Sequence, residues 1–413
     1  MLCRQRRTLS SCCKTKRTDF TRESQMPFQS QNQRISAGEI LQAIAGGAEI
    51  ILHRCTITGR LDANRLFIKN EGFDCSSLDV GVSGDKRTLT LGQKMTFDSC
   101  RFEDDVLFAP PWDNPDQLVV IFAEDAVFNS SVFCGQARFS KTIFRSLASF
   151  NGCRFERIAA FRSANFRAQA KFQTVAFKGY GLFNDAVFGS DAGFTNSCFS
   201  KGGNFTNVRF EGRADFAGVY SESKSVPVYE SVRFARRLYG DDETFWRFIK
   251  QASQEAGYYQ LAGESFYNER CAHFWRKFRG PNYDKLTPRQ KISSTLKGIR
   301  LLPELIFGRW LFGYGERPVR VLVASVLIIF VCGLFYCSPY AELSYRTDLA
   351  TTSRSFMDGL YFSTITFTTL GFGDMYPAYD HLLTRCIAMA EAVSGACLMA
   401  LFVVALSKRY SRG

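Results

Sequence analysis

From Phe128 to Phe216 a phenylalanine returns every eleven residues, and a second series from Phe133 to Phe210 lies between its members, so the steps alternate five, six, five, six. On a helix a step of five turns the chain by about 500°, which sets the two series about 140° apart instead of on one seam. An eleven-residue coiled coil therefore fails, and Gly179, Gly181, Gly189, Gly193, Gly202 and Gly203 would weaken any helix here. Two residues before most of the phenylalanines stands a small residue, as at Ala126, Ala137, Ala148, Cys153, Ala159 and Ala164. Residues two apart on a strand share a face, so each short strand sends one small and one large side chain inward and leaves polar residues and glycine for a corner. Four such sides close a coil of 22 residues, a solenoid of square cross-section.

This stretch resembles the pentapeptide-repeat family, whose units centre a Leu or Phe two residues after a small one. The resemblance implies a right-handed quadrilateral parallel β-helix, here with an 11-residue period and 22 residues per coil. The extra residue in every second unit departs from the family pattern. Weaker units precede it at Leu91, Phe97, Phe102 and Phe108, followed by an interruption at Pro110, Pro111 and Pro115, and Ile57, Leu61, Phe73 and Leu78 are expected in the opening coils. The β-helix is expected over 37–222, clearest over 97–216. Some members of the family imitate DNA with an acidic surface; from Phe97 to Tyr220 thirteen Lys or Arg balance thirteen Asp or Glu, which disfavours that role. The same stretch holds no histidine and no acids clustered in a way that suggests the chemistry of other parallel β-helices that are acyltransferases or polysaccharide lyases, so an enzyme is disfavoured and a scaffold expected.

After Tyr220 the period changes to helical. The run "DDETFWRFIKQASQEAG" opens on acids and closes on Gly257, and a second helix is expected over 258–278 with Leu261, Phe266, Cys271 and Phe274 buried. A solenoid must close its open end, so 223–283 reads as a helical cap. Over 286–312 Ile292, Leu296, Ile299, Leu302, Ile306 and Trp310 are mixed with Lys291, Lys297, Arg300 and Arg309. The amphipathic segment 284–317 is expected either to lie on a bilayer as an interfacial helix or to serve as a plain linker.

Two apolar runs follow, the uncharged Val321–Cys337 and a second over 382–406, each long enough to cross hydrocarbon. Between them lies "SFMDGLYFSTITFTTLGFGDMYP", and its Thr366, Phe367, Thr368, Thr369, Leu370, Gly371, Phe372, Gly373 and Asp374 resemble the pore loop of two-transmembrane-helix potassium channels. The resemblance implies an α-helical membrane pore over 318–408, built from an outer helix, a pore helix over 356–368, a selectivity filter and an inner helix. Thr369, Leu370, Gly371, Phe372 and Gly373 would form the filter, with permeant K+ held by the carbonyls of the first four and Thr366, Thr368 and Asp374 in support. Gly371 and Gly373 allow the left-handed backbone that turns successive carbonyls to one axis. Gly395 takes the place of the hinge glycine. Glu391 is costly inside a membrane and reads either as a structural partner behind the filter or as an ion-binding group in the cavity. Gly313, Tyr314 and Gly315 also spell G-Y-G, but they lack the threonines and precede the first span, so they read as a turn.

Charge orients the pair. Basic residues at Lys297, Arg300, Arg309, Arg317, Lys408, Arg409 and Arg412 flank its outer ends, and only Arg346, Arg354 and Arg385 lie between. Both termini are then expected in the cytoplasm, with 409–413 a short tail and the protein multi-pass in the cell's inner or plasma membrane. The chain carries 52 basic and 39 acidic residues, and the excess gathers partly in the first 36 residues. That stretch reads as a disordered arm, either a solvated tail or an RNA-binding segment, and nucleic acid is not expected as a partner. Fourteen cysteines without a C-x-x-C pair and three histidines support neither a zinc nor a haem site, so no cofactor is expected and the thiols are read as reduced. The chain is thus expected to be one subunit of a homotetrameric potassium channel in a lipid bilayer, without enzymatic activity, whose solenoid regulates it or binds an unknown cytoplasmic partner. A weakly selective cation channel and a membrane-anchored scaffold are the alternatives.

Overall fold

The computed structural model describes residues 26–67, 72–73, 78–83, 86–110, 118–222, 224–280, 282–345 and 355–410. Most of the basic arm, Pro111, Pro115, Arg346, Arg354 and Arg412 lie outside them. Strand pairing in the repeat advances by 22 residues, Ala126 with Ala148 and Ala137 with Ala159, and stacks the chain into a parallel β-helix. Three of its sides are sheets of 8 strands and one is a sheet of 6. The departure from parallel pairing among them is Asp79–Ser83 against Lys86–Leu91, at the edge of one side.

The alternation of five and six has a backbone cause. After each phenylalanine of the first series the chain makes a tight turn, in which Ser131 N–H reaches Phe128 O at 3.3 Å and Thr142 N–H reaches Phe139 O at 3.3 Å. The third residue of these turns is left-handed: φ is 53° at Ser130, 58° at Lys141, 54° at Ser163, 54° at Thr174 and 57° at Asn196. After each phenylalanine of the second series the corner is wider and takes the extra residue. Gly179 sits there at an ordinary φ, and a Cβ would strike the Arg157 backbone of the coil before it. Two kinds of corner, alternating around the square, thus produce the two step lengths.

Inside, rings 22 residues apart stack in parallel. Phe150 and Phe172 have centroids 5.1 Å apart at 6°, whereas Phe150 meets Phe161, the next member of its own eleven-residue series on the opposite side of the coil, at 77°. Both are geometries that the ring quadrupole favours. The phenylalanines from Phe97 to Phe216 in these ladders are buried, and each contributes on the order of 2 to 3 kcal/mol of apolar burial.

Both ends are closed. At the first, helix α1 (Ala37–Ala45) packs Ile40, Leu41 and Ile44 onto the core, and a capping box between Ser36 and Glu39 starts it. The expected arm 1–36 is shorter than read: Phe28–Gln31 and Arg34–Ser36 are strands paired with Ile50–His53 and Thr56–Thr58. At the other end α2 (Glu243–Glu255) sets Phe245 5.1 Å from Phe216 and Phe248 5.9 Å from Phe199. Thr244 Oγ1 accepts from Phe216 N–H at 3.0 Å, satisfying a donor on the last coil. Helix α3 (Tyr259–Phe278) packs on α2 and buries Cys271 and Phe274, but Leu261 and Phe266 are only half-buried.

The segment read as either an interfacial helix or a plain linker holds three helical pieces. Helix α4 (Pro288–Gly298) passes into a 3-10 turn, Ile299–Leu301, and then π-helical turns over Glu304–Leu311. Ile292, Leu296, Ile299, Phe307 and Trp310 are exposed along it. Helices α5 (Pro318–Cys337) and α7 (Leu382–Tyr410) are each long and apolar enough to cross a membrane. A third helix, α6 (Phe356–Phe367), packs between them.

Candidate functional site

Local rules set both ends of α6. Ser355 caps its start, accepting from Met357 N–H at 3.3 Å while its own N–H donates to Asp358 at 3.2 Å, so two orphan amides are satisfied reciprocally. At its end Thr369 N–H donates to Thr366 O at 3.1 Å and Leu370 N–H to Ile365 O at 3.0 Å. This is a Schellman closure, which needs one left-handed residue just past the cap. Here that residue is Thr369, at φ 59°, in place of the usual glycine.

Helix termination thereby supplies the first of three left-handed residues. Gly371 follows at φ 51° and Gly373 at 75°, whereas Leu370 and Phe372 between them are not left-handed. Left-handed and other residues thus alternate from Thr369 to Gly373. The G-Y-G before the first span is different: Gly313, Tyr314 and Gly315 have φ of 55°, 55° and 87° in one unbroken run. An unbroken left-handed run coils back as a turn, so the same three letters give two structures.

Around this strand, the Thr368 hydroxyl donates to Thr364 O at 2.7 Å and that of Thr369 to Thr368 O at 2.7 Å. Thr366 lies in the last turn of α6. Asp374, just past Gly373, accepts from the Tyr361 hydroxyl at 2.8 Å and from Met375 N–H at 3.1 Å. The sequence alone does not single out Tyr361, which stands thirteen positions before Asp374; a tyrosine in the second turn of α6 is the available signal. Beyond Asp374, Met375–Pro377 pairs antiparallel with Leu343–Tyr345, tying the chain after the strand to the chain after α5. Leu370 and Phe372 are exposed on a single chain.

Glu391 and Gly395 lie one turn apart on α7 and both face α6. Glu391 accepts from the Tyr336 hydroxyl at 2.7 Å and from Ser363, and is buried. A Cβ at Gly395 would strike the Phe367 carbonyl, so this glycine permits close approach of the two helices.

At the other end of the spans the soluble part touches both. Arg317 stacks on Tyr267 of α3, 4.3 Å from the ring centroid, and Lys408 of α7 lies 4.7 Å from the centroid of Phe266. Lys408 also donates to Tyr314 O at 3.3 Å. Tyr314 is held by burial, and secondarily by nearby Glu304, with its hydroxyl pushed up to about 12, so it stays neutral. Within the cap, Glu269 binds Arg247 and Lys250 at 2.9 and 2.6 Å. Burial would raise its carboxyl, but these two hydrogen bonds outweigh it and hold the group below its usual range.

Residues 321–412 match a protein-family model described as an ion channel. The match runs from α5 through α6 and the alternating strand to α7. No curated protein and no solved structure matches the chain.

Proposed function

We propose that this chain, whose residues 321–412 belong to the ion-channel family, is one subunit of a homotetrameric, potassium-selective channel that conducts passively. The observation that carries the reading is the left-handed backbone at Thr369, Gly371 and Gly373 with other conformations between. Carbonyls of Thr369, Leu370, Gly371 and Phe372 then replace the hydration shell of K+, Thr366, Thr368 and Asp374 brace them, and four copies surround the ion. Exposure of Leu370 and Phe372 on one chain is consistent with neighbouring copies covering them. The C-terminal end of α6 points its dipole at the cation. No bond is made or broken, so the protein is no enzyme, and its sole cofactor is the permeant ion.

Both termini lie in the cytoplasm and the protein in the cell's inner or plasma membrane, an orientation supported by the basic residues at the outer ends of the spans. The β-helix is right-handed, as parallel crossovers generally are, and regulates the pore or binds a cytoplasmic protein. The contacts of Lys408 and Arg317 with α3 support regulation, because they join the cap to both spans. Gly395 serves as hinge, and bending there disturbs its packing on Phe367. Phe372 favours a second reading, a weakly selective cation channel, since it lacks the hydroxyl that could brace the strand.

Purified protein in liposomes tests the reading. Potassium efflux from vesicles carrying a four-subunit particle is expected. Sealed vesicles around well-folded protein, or a stable monomer, would refute it.

A further inference from the structure

We propose that Glu391 is a positioning residue for the selectivity filter: it sets the depth of α6 by joining all three membrane helices in one buried node. The inference rests on the reading of residues 369–373 as the filter. An acid within a membrane is costly and persists only where protein groups engage it. Glu391 is 2 % exposed, and its partners Tyr336 and Ser363 are 1 % and 0 % exposed. Tyr336 of α5 donates to one carboxyl oxygen at 2.7 Å, and Ser363 of α6 to the other. The Ser363 hydroxyl, its single proton shared between Glu391 and, at 2.8 Å, Ile329 O of α5, thus sits against both other membrane helices.

Geometry links this node to the filter. On α7, Glu391 and Gly395 are four residues apart; on α6 their partners Ser363 and Phe367 are also four apart. Two consecutive turns of each helix are therefore in register, one by a hydrogen bond and one by close packing. Ser363 lies two residues before Ile365, whose carbonyl receives the amides of Leu370 and Gly371. A rigid helix passes any sliding at Ser363 directly to those amides and so to the carbonyls that meet the ion. The residue type fits the task, since a carboxyl offers an oxygen to each of two hydroxyl donors, whereas an amide offers one oxygen in all. Burial among its own subunit's helices also argues against Glu391 as an ion ligand in the cavity.

The test uses the full chain in liposomes, with the potassium-to-sodium permeability ratio as readout and tetramer yield as control. Glu391→Ala should lower the ratio about tenfold, the factor that losing a buried hydrogen-bonded group of ordinary strength allows. Glu391→Gln should fall between it and the wild type, and Tyr336→Phe and Ser363→Ala should each lower the ratio, non-additively with Glu391→Gln. A merely structural role would lower yield or melting temperature and leave the ratio alone. Should Glu391→Ala not assemble, Tyr336→Phe, which removes one donor at nearly constant volume, decides the matter. A potassium-selective wild type with unchanged ratios in assembled variants overturns the inference, whereas an unselective wild type overturns the filter reading beneath it.

Discussion

The ammonium of Lys408, near the end of α7, lies 4.7 Å from the ring centroid of Phe266 in α3. A residue of α7 is thus in direct contact with a helix that packs at the end of the β-helix, 142 positions earlier in the chain. Cation–π contacts of this kind contribute about 1 kcal/mol, roughly a fivefold change in an equilibrium. Phe266→Ala and Lys408→Met should each shift the open probability by about that factor, with the permeability ratio unchanged because neither residue touches 366–374. Single-channel recording checks this, and open probabilities equal to wild type would leave the cap as a tether.

Substituting Ala for Gly373 should abolish potassium conduction and leave a folded tetramer. Its φ is 75°, and no atom of its own chain lies within 4 Å of the position a Cβ would take, so within the chain the penalty is backbone strain. Normal flux from a well-expressed variant would refute the assignment of this strand.

Phe161 is stacked between Phe139 at 5.4 Å and Phe183 at 5.2 Å, both within 7° of parallel. Phe161→Ala should cost about 3 to 5 kcal/mol of stability. Gln173, at an exposed corner with its side chain 3.3 Å from Asn151, should tolerate Ala nearly without effect. Thermal melts of the two variants compare them, and equal shifts would contradict the ring ladder.

The ladder was legible because every coil repeats one rule, a small and a large residue inward, and repetition over many coils outweighs local noise. The corners were less so: the five-six alternation is plain at Phe128, Phe133 and Phe139, but Ser130, like Lys141, Ser163 and Thr174, takes a left-handed conformation that its residue type does not demand. Helix α1 was missed although Ser36 and Glu39 spell a capping box, because nine residues carry too little periodicity to stand out. The left-handed backbone at Gly371 and Gly373 was legible, since glycine at those positions answers a local backbone need. Thr369 escaped that logic because the helix end, not its side chain, imposes its conformation. Contacts between distant segments, such as Tyr361 with Asp374 or Lys408 with Phe266, leave no local pattern at all.

Asp242 gives the cap a pH dependence. Burial pushes its carboxyl up to about 6, despite the Trp246 indole at 3.0 Å and Arg237 at 3.5 Å. The folded chain then binds this proton more tightly than the unfolded one, so the group costs stability as pH rises from about 4 through 6, and the full cost stands above that. Asp242→Asn keeps an acceptor for Trp246 and removes the charge. The variant should melt near wild type at acid pH and several degrees higher on the alkaline side of neutrality. A constant difference across the range would contradict the burial argument.

Most direct is the reversal potential of the purified tetramer in a planar bilayer with potassium on one side and sodium on the other. If the carbonyls of Thr369 to Phe372 line a potassium filter, the potential sits near the potassium equilibrium value and is unmoved by exchanging the sodium side for a large organic cation. A potential near zero with sodium current of comparable size would contradict the account.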